Sequence, residues 1–137
     1  MFTPEGRFGP GLESFCGHPV VDKRHAAVAA NNRSLTPKAA FSLELWLKPK
    51  PALTNYQEAF LVDKKYVSHT DYQFTLGYPD RGGMRALTMR LGFGEDSVTY
   101  VSEKAAYVPG EWCHVSFTYD GAGTGRFFRD GKPMGGS

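Results

Sequence analysis

The sequence is short of cysteine, of charge of one sign, of long apolar runs and of any helical period. Each shortage closes off a class of protein. Two cysteines in 137 residues, Cys16 and Cys113, are too few for a disulfide scaffold and have no CxxC spacing for zinc. They leave the redox compartment open. Sixteen Lys and Arg against fourteen Asp and Glu give a formal charge of +2, and the basic residues are scattered, so nothing predicts nucleic-acid binding. The longest apolar stretches are a few residues broken by charges, far short of the ~20 a membrane span requires. The opening "MFTPEGRFGPG" lacks the basic start and apolar middle of a signal peptide, so the chain reads as either cytosolic or a mature or excised piece of something longer. No stretch has a helical period, and Glu103 to Tyr107 is expected to form at most a turn. Internal repeats and low-complexity tracts are missing too.

What is abundant is strand formers and turn formers. Ten Phe, seven Tyr and two Trp stand beside sixteen Gly and nine Pro, a composition that favours an all-β fold. A chain of this length suits one domain, 1–137, and such a domain buries roughly two thirds of the surface its unfolded form exposes. In "FSLELWLK" the residues Phe41, Leu43, Leu45 and Leu47 share one face, with Ser42, Glu44, Trp46 and Lys48 on the other, the period of two of a half-buried strand. Three more stretches repeat it. Tyr72, Phe74, Leu76 and Tyr78 lie opposite Gln73, Thr75 and Gly77; Leu87, Met89, Leu91 and Phe93 form one face of "MRALTMRLGF"; Val115, Phe117 and Tyr119 form one face of "VSFTY".

Turn signals separate these runs at Pro79 to Gly83, Gly94 to Asp96, Pro109 to Glu111 and Asp120 to Gly125. The sharpest is Asp130-Gly131, because a two-residue type I′ turn needs positive φ at both central positions. About ten short antiparallel strands follow, arranged as a two-sheet sandwich or jelly roll rather than as βαβ units. The expected shared core is Phe41, Leu43, Leu45, Leu47, Phe74, Leu76, Leu87, Met89, Leu91, Val115 and Phe117.

In order along the chain, "GRFGPGL", "FSLELWLKPK", "AFLVDKK", "GEWCHVSFTYDG" and "RFFRDGKP" resemble the laminin G-like and pentraxin-like jelly rolls of the concanavalin A-like lectin and glucanase superfamily. The resemblance covers nearly the whole chain. It implies two antiparallel sheets packed face to face and, most often, a non-catalytic binding or adhesion module in a larger extracellular or cell-surface protein, with a glycan or a protein as ligand. It also implies further strands after the DGKP hairpin, so the expectation is a jelly roll lacking its C-terminal strands. The calcium ligands of pentraxin-like members lie partly in that later region and cannot be carried over here. Nothing in the family pattern pairs Cys16 with Cys113, so the two are expected not to be bonded.

Glucanases on this scaffold need two carboxylates on one strand face, roughly 5 Å apart in retaining enzymes. The fourteen acidic residues never fall at i and i+2, so a glycoside hydrolase finds no support and no catalytic residue is assigned. Cys113 and His114 are adjacent in a strand and point to opposite faces, so they form no nucleophile and base pair. Cys113 reads as buried, and His114 as a hydrogen-bonded structural residue on the face of Trp112 and Ser116. Cys16 and His18 share a face only if their strand is regular, and Gly17 and Pro19 interrupt it.

His18, His25, His69 and His114 show no metal-binding spacing, and no DxDxDG loop supports calcium. Asp80, Asp96, Asp120 and the Asn31-Asn32 pair read as solvated turn residues that could at most join a site built from separate loops. No cofactor is therefore expected. For sugar binding the requirement is an aromatic ring to stack on a pyranose, with polar groups beside it for the hydroxyls. Trp46, flanked by Glu44 and Lys48, fits; the competing reading is structural packing of the indole. The leading expectation is a recognition module, and the alternative is a spacer domain appended to a larger enzyme with no ligand of its own.

Overall fold

A computed structural model describes residues 2–14, 27–51, 58–64 and 70–136. Cys16, His18, His25 and His69 lie outside the described residues. The chain divides into two compact units, Met1–Leu35 and Thr36–Ser137. In the first, β1 (Phe2–Thr3) pairs antiparallel with β2 (Gly11–Leu12). Asn32 starts the 3-10 turn Arg33–Leu35, its Oδ1 accepting the Ser34 N–H at 2.9 Å.

The second unit holds β3 (Phe41–Leu47), β4 (Ala59–Asp63), β5 (Thr70–Leu76), β6 (Arg85–Phe93), β7 (Ser97–Ala105), β8 (Cys113–Tyr119), β9 (Gly125–Arg129) and β10 (Lys132–Pro133). They form two four-stranded sheets of order β10-β9-β8-β3 and β4-β5-β6-β7, with every pairing antiparallel. No α-helix occurs among the described residues. This is the all-β sandwich that the alternating pattern predicts.

The sheets meet through aromatic and aliphatic side chains. Phe74 stacks on Phe127 at 6.4 Å between ring centroids, and Tyr100 packs on Phe117 at 5.5 Å, both contacts joining one sheet to the other. Of the expected core, Phe74, Leu76, Leu87, Met89, Leu91, Val115 and Phe117 are buried, while Phe41, Leu43, Leu45 and Leu47 are half-buried and pack against them. Tyr100, Tyr107, Cys113, Phe127 and Met134 complete it. The Asp130-Gly131 turn has φ of 50° and 77°, the positive values a type I′ hairpin demands.

At the strand ends the alternation lapses: Tyr78 lies past the end of β5 and is 64% exposed, and Phe93, at the β6 terminus, is 54% exposed. Gln73 and Thr75 are buried although they face away from the sandwich core, because polar side chains of β4 and β6 lie over them. Glu103 to Ala105 continue β7 rather than forming a turn. A bulge in β7 sets Ser102 and Glu103 against the single Leu87 of β6, and the Ser102 hydroxyl accepts the Leu87 N–H at 2.8 Å, which satisfies the backbone group the bulge releases.

Candidate functional site

The outer face of the β3 and β8 pair carries the residues singled out for ligand contact. Pairing sets Trp46 opposite His114 and Glu44 opposite Ser116, so alternate residues of both strands share this face. The Trp46 indole is 38% exposed and its ring lies 5.2 Å from the His114 imidazole at an interplanar angle of 51°. Glu44 Oε2 is 3.3 Å from His114 Nε2, with the carboxylate side chain 69% exposed. Lys48 is exposed but turns to the other indole, its Nζ 5.9 Å from the Trp112 ring centroid, a cation-π distance. The structure therefore brings Trp46 and Glu44 together through His114, and sets Lys48 beside Trp112 on the same face.

His114, which the sequence reads as a hydrogen-bonded structural residue beside Trp112 and Ser116, meets Trp46 and Glu44 here. Its place is held from the backbone: its N–H donates to Asp130 Oδ1 at 2.9 Å, and its carbonyl accepts the Asp130 N–H at 2.9 Å. The signal was the alternation that sets Trp112, His114 and Ser116 on one side. Strand alternation gives the face but not the neighbouring strand, and only the register shows which residue it meets.

A second polar cluster covers the outer face of β4, β5 and β6. Arg90 donates through its guanidinium to Gln73 Oε1 at 2.5 Å and lies 3.6 Å from Glu58 Oε1. Thr75 Oγ1 donates to the same Glu58 oxygen at 2.7 Å, and Gln73 Nε2 donates to Asp63 Oδ1 at 3.3 Å. Beyond it, Lys64 Nζ stands 2.7 Å from Asp71 Oδ1, which also accepts the Thr36 hydroxyl at 2.7 Å. Burial pushes the Asp71 carboxyl up, but its bonds from Lys64 and Thr36 outweigh that and hold it below its ordinary value. These groups satisfy one another and shield β5.

Among the described residues, Cys113, Asp80 and Asp120 make local contacts of their own. Cys113 is a free, buried thiol that burial pushes up in pKa, away from the thiolate a nucleophile needs. Beside it burial pushes Tyr107 to about 12, and the Arg129 guanidinium carbon sits 4.6 Å from its ring centroid. Asp80 Oδ1 accepts the N–H groups of Gly82 and Met84 at 2.9 and 3.0 Å, and Asp120 Oδ1 those of Ala122 and Thr124 at 2.7 and 2.9 Å. Each carboxylate is turned onto its own loop. Among the described residues no group of three or more His, Cys, Asp or Glu side chains is placed to hold a metal ion. No helix among them is long and apolar enough to cross a membrane. A cleft of about 300 Å³ lies along the β9 and β10 hairpin, lined by Arg126, Phe127, Phe128, Pro133, Gly135 and Gly136; it does not include the Trp46 cluster.

The Laminin_G_3 family model, described as the concanavalin A-like lectin/glucanases superfamily, matches residues 22–137. The chain belongs to this family. No curated protein and no solved structure matches the chain. Laminin G-like membership accounts for the two sheets and their antiparallel order; it does not choose a ligand, because function on a shared fold lives in the side chains grafted onto it.

Proposed function

We propose that this laminin G-like domain is a non-catalytic recognition module that binds carbohydrate, or a protein partner, within a larger extracellular or cell-surface protein. The observation that supports it is the partly exposed Trp46 indole beside Glu44 and His114 on the solvent face of a regular strand. An indole there offers an apolar plane to a pyranose ring, and a carboxylate beside it accepts hydroxyl hydrogen bonds. Superfamily membership supports the extracellular setting. A non-catalytic role is supported by the spacing of the acidic residues, which sets no two at i and i+2, and by the burial of Cys113.

The test is a glycan array probed with the wild-type protein and with Trp46→Ala. Loss of a stacked ring removes about 1.5–3 kcal/mol of binding, so array hits should weaken about tenfold or more while thermal melting stays close to wild type. Unchanged hits in the variant would remove Trp46 from the contact. The second reading, a spacer domain without a ligand, draws on the tilted contact between the Trp46 and His114 rings, since an indole that packs on its neighbour has a structural use of its own. An array without hits favours it.

A further inference from the structure

We propose that the binding face extends from Trp46 across the sheet to the cleft along β9 and β10, and that its ligand is an oligosaccharide carrying a carboxylate sugar, whose acid group Arg126 holds. The proposal deepens the recognition reading and rests on it.

Strand register puts the two places on one surface. Glu44 stands opposite Ser116, Ser116 opposite Phe128 and Phe128 opposite Pro133, so one row of side chains crosses the outer face from β3 to β10. Trp46 and His114 form the next row on one side, and Ser42, Thr118 and Arg126 the next row on the other. From Trp46 to Arg126 is two strand spacings of roughly 4.8 Å and two rows of roughly 6.6 Å each. A single sugar ring cannot touch both ends, and a short chain can. Between them lie Ser116 and Thr118, short hydroxyl side chains over which such a chain passes.

The cleft supplies what a charged sugar needs at its far end. Phe128 and Pro133 give it apolar walls, Gly135 and Gly136 add bare backbone, and its volume of about 300 Å³ is at the small end of ligand pockets, enough for one unit of the chain. Arg126 supplies the charge. It is exposed, and among the described residues no carboxylate lies within ion-pair distance of it. Asp120, which feels its charge, has Oδ1 turned onto the Ala122 and Thr124 N–H groups. A guanidinium without an acid of its own takes a ligand carboxylate bidentately through its planar fork. Glu44, 69% exposed at the Trp46 end, accepts from hydroxyls and repels an acid. The two charges therefore set the direction of the ligand, with its carboxylate over Arg126 and a neutral ring on the indole.

The experiment is the glycan array read with wild type, Arg126→Gln, Arg126→Lys and Trp46→Ala, each checked for folding by its thermal melt. Wild type should bind oligosaccharides that contain a uronic or sialic acid and pass over their neutral counterparts. Arg126→Gln, an exposed substitution, should weaken those hits about tenfold, the effect of losing a hydrogen bond between charged groups. Arg126→Lys keeps the charge without the fork and should recover only part of the binding. Added salt should weaken wild type more than Arg126→Gln. Hits confined to neutral glycans, or acidic hits that Arg126→Gln leaves unchanged, overturn the proposal; where Trp46→Ala still removes those hits, the recognition reading stands without it. Hits that Arg126→Gln weakens and Trp46→Ala does not would show that the cleft binds alone, which overturns the single extended face. An array without hits for any protein refutes carbohydrate recognition itself and the acidic ligand with it, so the two failures are distinguishable.

Discussion

Phe117 touches rings from three other strands: Phe41 at 6.1 Å, Tyr100 at 5.5 Å and Phe127 at 4.9 Å between centroids. It is completely buried, so truncation leaves a cavity that no single neighbour can fill. Phe117→Ala should cost about 3–5 kcal/mol in chemical denaturation. Gly125 makes the complementary case. A Cβ built there would lie 2.6 Å from a Tyr100 ring carbon and 2.7 Å from two of Phe117, so Gly125→Ala should overpack the same place and cost about 1–3 kcal/mol. Denaturation midpoints equal to wild type for both variants would show that this aromatic junction is not where the sheets are held. The burial of Phe117 is legible in "VSFTY"; the need for glycine at 125 is not, because the rings that crowd it come from positions 100 and 117.

At the scale of the element, the turns are held by carboxylates acting on their own backbone. The Met84 N–H chiefly, and the Thr124 N–H in the other turn, hold the Asp80 and Asp120 carboxyls below their ordinary value. An acid whose pKa is lower folded than unfolded stabilises the fold at pH above its unfolded value. That contribution disappears as pH falls through the folded value, so the loss sets in below about pH 4. The double variant Asp80→Asn and Asp120→Asn keeps the acceptor oxygens and removes the titration, and its melting temperature should fall less steeply than wild type between about pH 4 and 2. Parallel acid limbs for the two proteins would refute it. These turns were readable from sequence as Pro, Gly and Asp clusters. Strand β7 was not: its core-facing residues are Tyr100 and Ser102, while Val98 and Val101 are exposed, so hydrophobic alternation fails where a bulge and a buried hydroxyl replace it.

At the scale of the molecule, stability is unevenly distributed between the two units. The Met1–Leu35 unit pairs two residues with two, and its Phe2 and Leu12 are 76% and 48% exposed. The sandwich unit has β5, β6, β8 and β9 lined with fully buried residues. Amide exchange measured by mass spectrometry should therefore be slowest for β5, β6, β8 and β9, where opening requires the sheets to separate, and fast for β1 and β2, which open locally. Protection of residues 2–12 equal to that of β6 would contradict this.

The sequence by itself determined the class of fold, the strands with clean alternation, the type I′ turn and most of the core. Each of these depends on interactions a few residues apart, where a period of two or a pair of positive φ angles leaves its mark on the residue types. It also placed Trp46 and Glu44 on one solvent face, apart from the apolar side chains of β3. Only the tertiary structure decided that His114 joins them, that Lys48 sets its ammonium over Trp112, and that Glu58, Arg90, Gln73 and Thr75 form one cluster over β5. Those contacts join positions 17 to 70 residues apart and are set by strand register, which follows from how the sheets pack together, a quantity that no single stretch of chain contains.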